Sequence, residues 1–246
     1  MDSRMRTTIL GVAAVGLATI ALVSAQVAPG KAAVEKIVKD YLIANPEILI
    51  DVQNALDRKQ AANEAQSQQT ALTKIGEAAL TDPKVAFIQG PADAKVTVVQ
   101  FFDYHCGFCK ASLPAMKKAL ERGGSVRFAF VEYPILSAES LIAAQAAVAA
   151  RQQPGKYMAF HIALMETTGA LPRERILSIA QTVGLDIPKL EMDMASDATR
   201  ASLQASNALA QQLHVNGTPT FVINGKFLVG QIDDAELTKL LKDGQA

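Results

Sequence analysis

The sequence lacks tryptophan altogether, and of its 246 residues only three are histidine and two are cysteine. Aromatic residues make up 5% of the chain, so the core must come mostly from Ala, Leu, Val and Ile. Neither sign of charge is in excess: 24 basic side chains face 24 acidic ones, which removes the electrostatic footprint of a nucleic-acid partner. The short supply of soft and imidazole ligands also argues against a structural metal. Tetrahedral zinc needs four ligands, and only His105, His161 and His214 could join the two sulfurs, none at the paired spacing of a finger. No metal site is assigned.

What the chain does have is both cysteines in one place, Cys106-Gly107-Phe108-Cys109, directly after the apolar run Val96–Phe102. A bridge this short closes almost no loop and removes little unfolded-state entropy, so it is a poor staple. If the first sulfur opens a helix, unpaired backbone N–H groups and the helix dipole favour its thiolate. The pattern then gives a nucleophile at Cys106, at the exposed helix start, and a resolving thiol one turn deeper at Cys109. Nothing beyond this redox-active pair is needed as a cofactor.

The N-terminus has the layout of a secretory signal. Arg4 and Arg6 precede the uncharged run Ile9–Val23, and Val23-Ser24-Ala25 supplies small residues for cleavage after Ala25. An uncleaved anchor or a buried helix are the alternatives, but about fifteen apolar residues is short for a span of roughly 20. No later apolar stretch reaches that length, so the exported chain is expected to be soluble. Export places a dithiol where it can cycle or rest as a disulfide.

Val34, Ile37, Val38, Tyr41 and Leu42 recur at helical spacing, and Asn45-Pro46 reads as a cap and first turn. A second helix is expected from Pro46 towards Leu80, apolar early but polar from Asp57 to Thr70. Such a helix is a solvated connector or one strand of an intermolecular bundle. Residues 26–80 therefore read as a helical arm, after a signal at 1–25 and before a domain at 81–246. In that domain Val85–Gln89, Val96–Phe102 and Val126–Val131 are strand candidates, with a helix between the last two that runs until Gly123-Gly124 and that Pro114 should kink or divide after its first straight segment. Helical segments at 137–152, 156–168, 172–183 and 187–213 form an insertion at about 137–213. Thr220–Ile223, Asn224-Gly225 and Phe227–Val229 spell a hairpin, and a last helix starts near Asp233.

With strand, dithiol and helix in order, the chain resembles the thioredoxin fold, and within it the exported DsbA-type disulfide oxidoreductases. The resemblance rests on Phe101-Phe102-Asp103-Tyr104-His105-Cys106-Gly107-Phe108-Cys109-Lys110, the helical insertion, Gly217-Thr218-Pro219-Thr220-Phe221 and Asn224-Gly225. It covers residues 85–242, and the arm resembles ScsC-like oligomeric branches. The fold class implied is α/β, a thioredoxin fold with a helical insertion preceded by a helical arm. The resemblance implies a periplasmic oxidoreductase, with a disulfide isomerase favoured over a monomeric oxidase and a copper-binding thiol protein or holdase behind both.

Its partners would be exported proteins with cysteines and an unidentified membrane redox partner, and the arm would make a homodimer or homotrimer. Thr218 and Pro219 would bind clients, with Pro219 in cis. His105, Gly107 and Phe108 would tune the thiolate. The family often carries a buried acid six residues before the nucleophile; here that position is Gln100, so water or another group must take the proton. Asp103 reads as a helix-capping or surface residue, Lys110 as a solvated one, and His161 and His214 as structural or surface. The sequon Asn216-Gly217-Thr218 abuts the proline and is discounted.

Overall fold

The computed structural model describes residues 30–124 and 126–244. The expected signal at 1–25 lies outside the described residues. Among those described, no helix is long and apolar enough to cross a membrane. The chain forms two compact units that divide between Lys59 and Gln60.

In the first unit, α1 spans Lys31–Ala44 and ends at Asn45, whose side-chain amide and backbone N–H both reach the Tyr41 carbonyl. No residue of α1 is buried. Helix α2, Glu47–Ile75, starts in this unit and runs into the second. Val34, Ile37, Val38, Tyr41, Ile43, Leu49, Ile50, Val52 and Leu56 all keep their apolar side chains exposed.

The second unit is built on a five-stranded sheet. Its strands are β1 (Ala86–Gln89), β2 (Val96–Phe102), β3 (Val126–Glu132), β4 (Thr220–Ile223) and β5 (Lys226–Val229), in the order β1-β3-β2-β4-β5. The pair β2/β3 is parallel and the other three are antiparallel. Helix α3 (Gly107–Arg122) connects β2 to β3. Alternation along the buried strands sorts side chains onto two faces. Val96, Val98, Phe102, Phe128 and Phe130 pack with α3 and the insertion, whereas Val99, Phe101, Ala129 and Val131 pack with Leu72, Leu80, Leu209 and Leu213. Leu72 comes from the end of α2, with Ala71 and Ile75 packed beside it, so the last turns of that helix contribute to this unit's core.

The insertion comprises α4 (Ala138–Ala150), α5 (Tyr157–Glu166), α6 (Arg173–Thr182), α7 (Ile187–Met194) and α8 (Asp197–Gln212). Helix α9 (Asp234–Asp243) closes the chain, capped by the Asp233 side chain. The α/β class and its thioredoxin topology are as expected, with two local corrections. The helix from Pro46 stops at Ile75, because Gly76 turns with φ 86° before a short 3-10 segment at Glu77–Thr81. The stretch 187–213 is two helices, since Ser196 accepts from the Thr199 N–H and starts α8 afresh. Helix α3 runs through Pro114 to Arg122 and stops at Gly123, as expected. At the hairpin, Asn224 and Gly225 both have positive φ, 52° and 72°, between paired Ile223 and Lys226.

Candidate active site

The site begins where β2 delivers the chain to α3. Asp103 organises that turn. Its carboxylate accepts from the His105 N–H (2.7 Å) and Ser140 hydroxyl (2.7 Å) through Oδ1, and from the Ile135 (2.9 Å) and Leu136 (3.0 Å) N–H groups through Oδ2. Asp103 is therefore a buried clamp, not a surface residue. Its backbone carbonyl accepts from the Cys106 N–H, which fixes the first cysteine at the helix N-cap.

At that cap the Cys106 sulfur accepts from the Cys109 N–H at 3.3 Å and lies 3.1 Å from the Thr218 carbonyl, to which its thiol donates. A sulfur so placed faces the donor end of α3, where negative charge is favoured. The two cysteines are not bonded to each other. The exposed helix start expected for Cys106 needs correction: the residue is only 5% exposed, because its sulfur tucks under the Thr218–Pro219 loop. Its immediate rim is open. Phe108 is 64% exposed, and a side chain added at Gly107 would meet nothing within 4 Å. Cys109 is 1% exposed, and burial pushes its thiol well above the ordinary range.

The Thr218–Pro219 peptide is cis. The Thr218 hydroxyl is buried without a hydrogen-bond partner. His105 is drawn towards α4: its Nδ1 lies 2.8 Å from the Ser137 hydroxyl and its Nε2 3.4 Å from Glu139 Oε2. The latter is too poorly aligned to count as a hydrogen bond and is an ion pair only when the ring is protonated. Lys110 is half-buried and its ammonium donates to the Thr167 carbonyl; burial lowers its pKa. It is thus tied to the insertion and is not a solvated lysine. Gln100 is buried on β2, as its strand position requires.

Two features escaped the sequence. Ser112, one turn into α3, donates to the Phe108 carbonyl and accepts from the Ile232 N–H, holding the first turn of α3 to the segment before α9. Behind the dithiol strand lies a buried polar cluster. Glu132 Oε1 accepts from the Tyr104 (3.2 Å) and Tyr157 (2.9 Å) hydroxyls, and Tyr104 also meets His161 Nδ1 at 3.1 Å. Only an acid ending the apolar run Phe128–Val131 at Glu132-Tyr133-Pro134 could have signalled it. His161 is structural, 2% exposed, while His214 lies on the surface.

A paired thiol at a helix N-cap, a buried partner thiol and a facing carbonyl edge define a thiol–disulfide oxidoreductase of thioredoxin fold. The chain belongs to the thioredoxin family, in its DsbA-like, ScsC branch: the family model described as Thioredoxin matches residues 80–243, and that of the copper resistance protein ScsC N-terminal domain matches 31–63. A thioredoxin-like oxidoreductase from Silicibacter pomeroyi is 38% identical, with 69% of this chain and 98% of that one covered and a TM-score of 0.65. A linker-deleted variant of Proteus mirabilis ScsC is 25% identical over 90% of this chain and 99% of its own, TM-score 0.66. The thiol-disulfide exchange protein α-DsbA2 of Wolbachia pipientis is 28% identical, covering 74% and 97%, TM-score 0.67. The chain also spans about a quarter of the length of curated relatives called Na(+)/H(+) antiporters; for that of Salinispora tropica, 30% identity covers 59% of this chain and 22% of the antiporter.

Proposed function

We propose that this protein is an exported, periplasmic disulfide isomerase that works as an oligomer, with Cys106 as nucleophile and Cys109 as resolving thiol. The observation that carries the chemistry is the Cys106 sulfur, held between the Cys109 N–H and the Thr218 carbonyl. An extended client segment would pair with the backbone edge at Thr218 and Pro219, as peptides add to exposed strand edges. Phe108, Ile135 and Leu136, all exposed and apolar, would receive its side chains. His105, Gly107 and Phe108 would set how readily the sulfur takes and releases a client. Electrons would come from a membrane redox partner.

Self-association is supported by the first unit, where, among the described residues, Val34, Ile37, Val38, Tyr41, Ile43, Leu49, Ile50, Val52 and Leu56 leave their apolar side chains exposed. A homodimer or homotrimer would cover them and group several dithiols for repairing wrong disulfides. The experiment is removal of residues 26–59, which leaves Leu72 and Leu80 in the core they share with the sheet. Mass should fall to that of one chain and scrambled-ribonuclease repair should be lost, while insulin reduction persists. Unchanged mass and repair would defeat the oligomeric isomerase.

A second reading, copper handling through the two sulfurs, takes support from the match of residues 31–63 to a domain named for copper resistance. Insulin reduction undiminished by a copper chelator separates the two, since disulfide exchange needs no metal.

A further inference from the structure

The Cys109 thiol must lose a proton as it resolves a mixed disulfide, yet it is 1% exposed and burial holds it strongly protonated. Gln100, at the position where a carboxylate would serve, cannot accept that proton. Among the described residues, three buried side chains carry a carboxylate or an imidazole: Asp103, Glu132 and His161. Asp103 is occupied by four donors. His161 meets the Tyr104 hydroxyl through Nδ1, and burial pushes it down to about 3, so it is a feeble base. Glu132 differs, because its Oε2 is buried with no partner while Oε1 accepts from two tyrosines.

Glu132 is also on the correct side of the sheet. It pairs in register with Phe102 across the parallel β2/β3 ladder, and paired residues project to one face. Phe102 and Cys109 belong to the same buried cluster on that face.

We propose that Glu132 accepts the proton of the resolving thiol, relayed by water, during disulfide exchange. This rests on the dithiol reading above. In the first step the Cys106 thiolate attacks a client disulfide, forming the mixed disulfide and releasing one client sulfur as thiolate. In the second, the Cys109 S–H bond breaks and its proton passes to Glu132 Oε2, making an O–H bond. The Cys109 sulfur bonds to Cys106, and the second client sulfur leaves as thiolate. The client gains two electrons and the dithiol loses two.

The surroundings of Glu132 suit that task. Burial is the main influence and raises its carboxyl to about 8, so it exchanges protons near neutral pH. Arg151, at the C-cap of α4, pulls the other way, as do the hydroxyls of Tyr157 on α5 and Tyr104 before α3. Asp103 raises it further. His161, also on α5, stays neutral, and the Arg151 Nε and Nη2 groups are buried without partners.

The test is single-turnover reduction of a small disulfide-bonded peptide by parent protein and Glu132→Gln across pH 6–10. Gln keeps the acceptor for both tyrosines but cannot take a proton. Expected is roughly 100-fold slower resolution, within the range general acid–base groups contribute, with mixed disulfide accumulating. The parent's rise through about pH 8 should vanish. Equal rates and equal pH profiles would overturn the proposal, as would slowing confined to capture by Cys106. Should the variant not fold, the Glu132 carboxyl of the parent can be titrated by carbon NMR in dithiol and disulfide forms. A different midpoint in the two forms supports the proposal; the same midpoint overturns it. If the parent itself reduces no disulfide, the dithiol reading has failed instead.

Discussion

The backbone N–H of Cys109 points at the sulfur of Cys106 from 3.3 Å, so the two cysteines of the motif are hydrogen-bonded before any disulfide forms. The pair is unequal. Cys106 sits at the helix cap beside an open rim, whereas Cys109 is enclosed and held as a thiol. One equivalent of iodoacetamide added to reduced protein at pH 7 should modify Cys106 at least tenfold faster than Cys109, which should react only on unfolding. Peptide mass mapping reads this directly, and equal labelling would remove the asymmetry on which the mechanism depends.

Replacing Asp103 by Ala should be the most damaging change near the site. It strands four donors, the His105, Ile135 and Leu136 N–H groups and the Ser140 hydroxyl. A loss of about 3–5 kcal/mol in urea unfolding is expected. A loss below 1 kcal/mol would mean that water replaces the carboxylate freely.

Thr218→Val should behave oppositely. The Thr218 hydroxyl is buried and unpartnered, so exchanging it for a methyl group removes an unsatisfied polar atom at little cost in shape. Stability should hold or rise by about 1 kcal/mol. A fall of that size would show that the hydroxyl makes a necessary contact.

Stability should also carry the signature of Glu132. Its carboxyl titrates near 8 in the folded protein and near 4.5 in the unfolded chain, so from about pH 4.5 to 8 the folded state binds the extra proton. Stability from this group is complete below pH 4.5 and is lost as pH rises through 8. His161 has the reverse sign: held down to about 3 against an ordinary 6.5, it costs stability as pH falls from 6.5 through 3. Urea midpoints of Glu132→Gln relative to the parent should therefore climb between pH 5 and 8 and then level. A pH-independent difference would mean that Glu132 ionises normally.

Strands, hairpin and dithiol helix were legible because each has local chemistry: alternating apolar runs, Asn224-Gly225, and Cys106 at a strand-to-helix junction. The break at Ser196 was not, since Ser, Asp and Ala there are as compatible with a helix interior as with its cap until Asp193 and Thr199 engage the hydroxyl. Asp103 and Lys110 were misplaced for a related reason. Charged residues beside a motif read as solvated, and their burial depends on partners 30 to 60 residues away, Ile135, Ser140 and Thr167. Cys106 was expected to be more open because nothing in its own neighbourhood announces that Thr218 lies over it.

The Asp103 clamp holds two things at once, the turn that presents Cys106 and the Ile135–Leu136 stretch whose apolar side chains face outward. One side chain thus carries both segments, and a substitution that shifts the Ile135–Leu136 backbone would reach the turn before Cys106 through a single carboxylate.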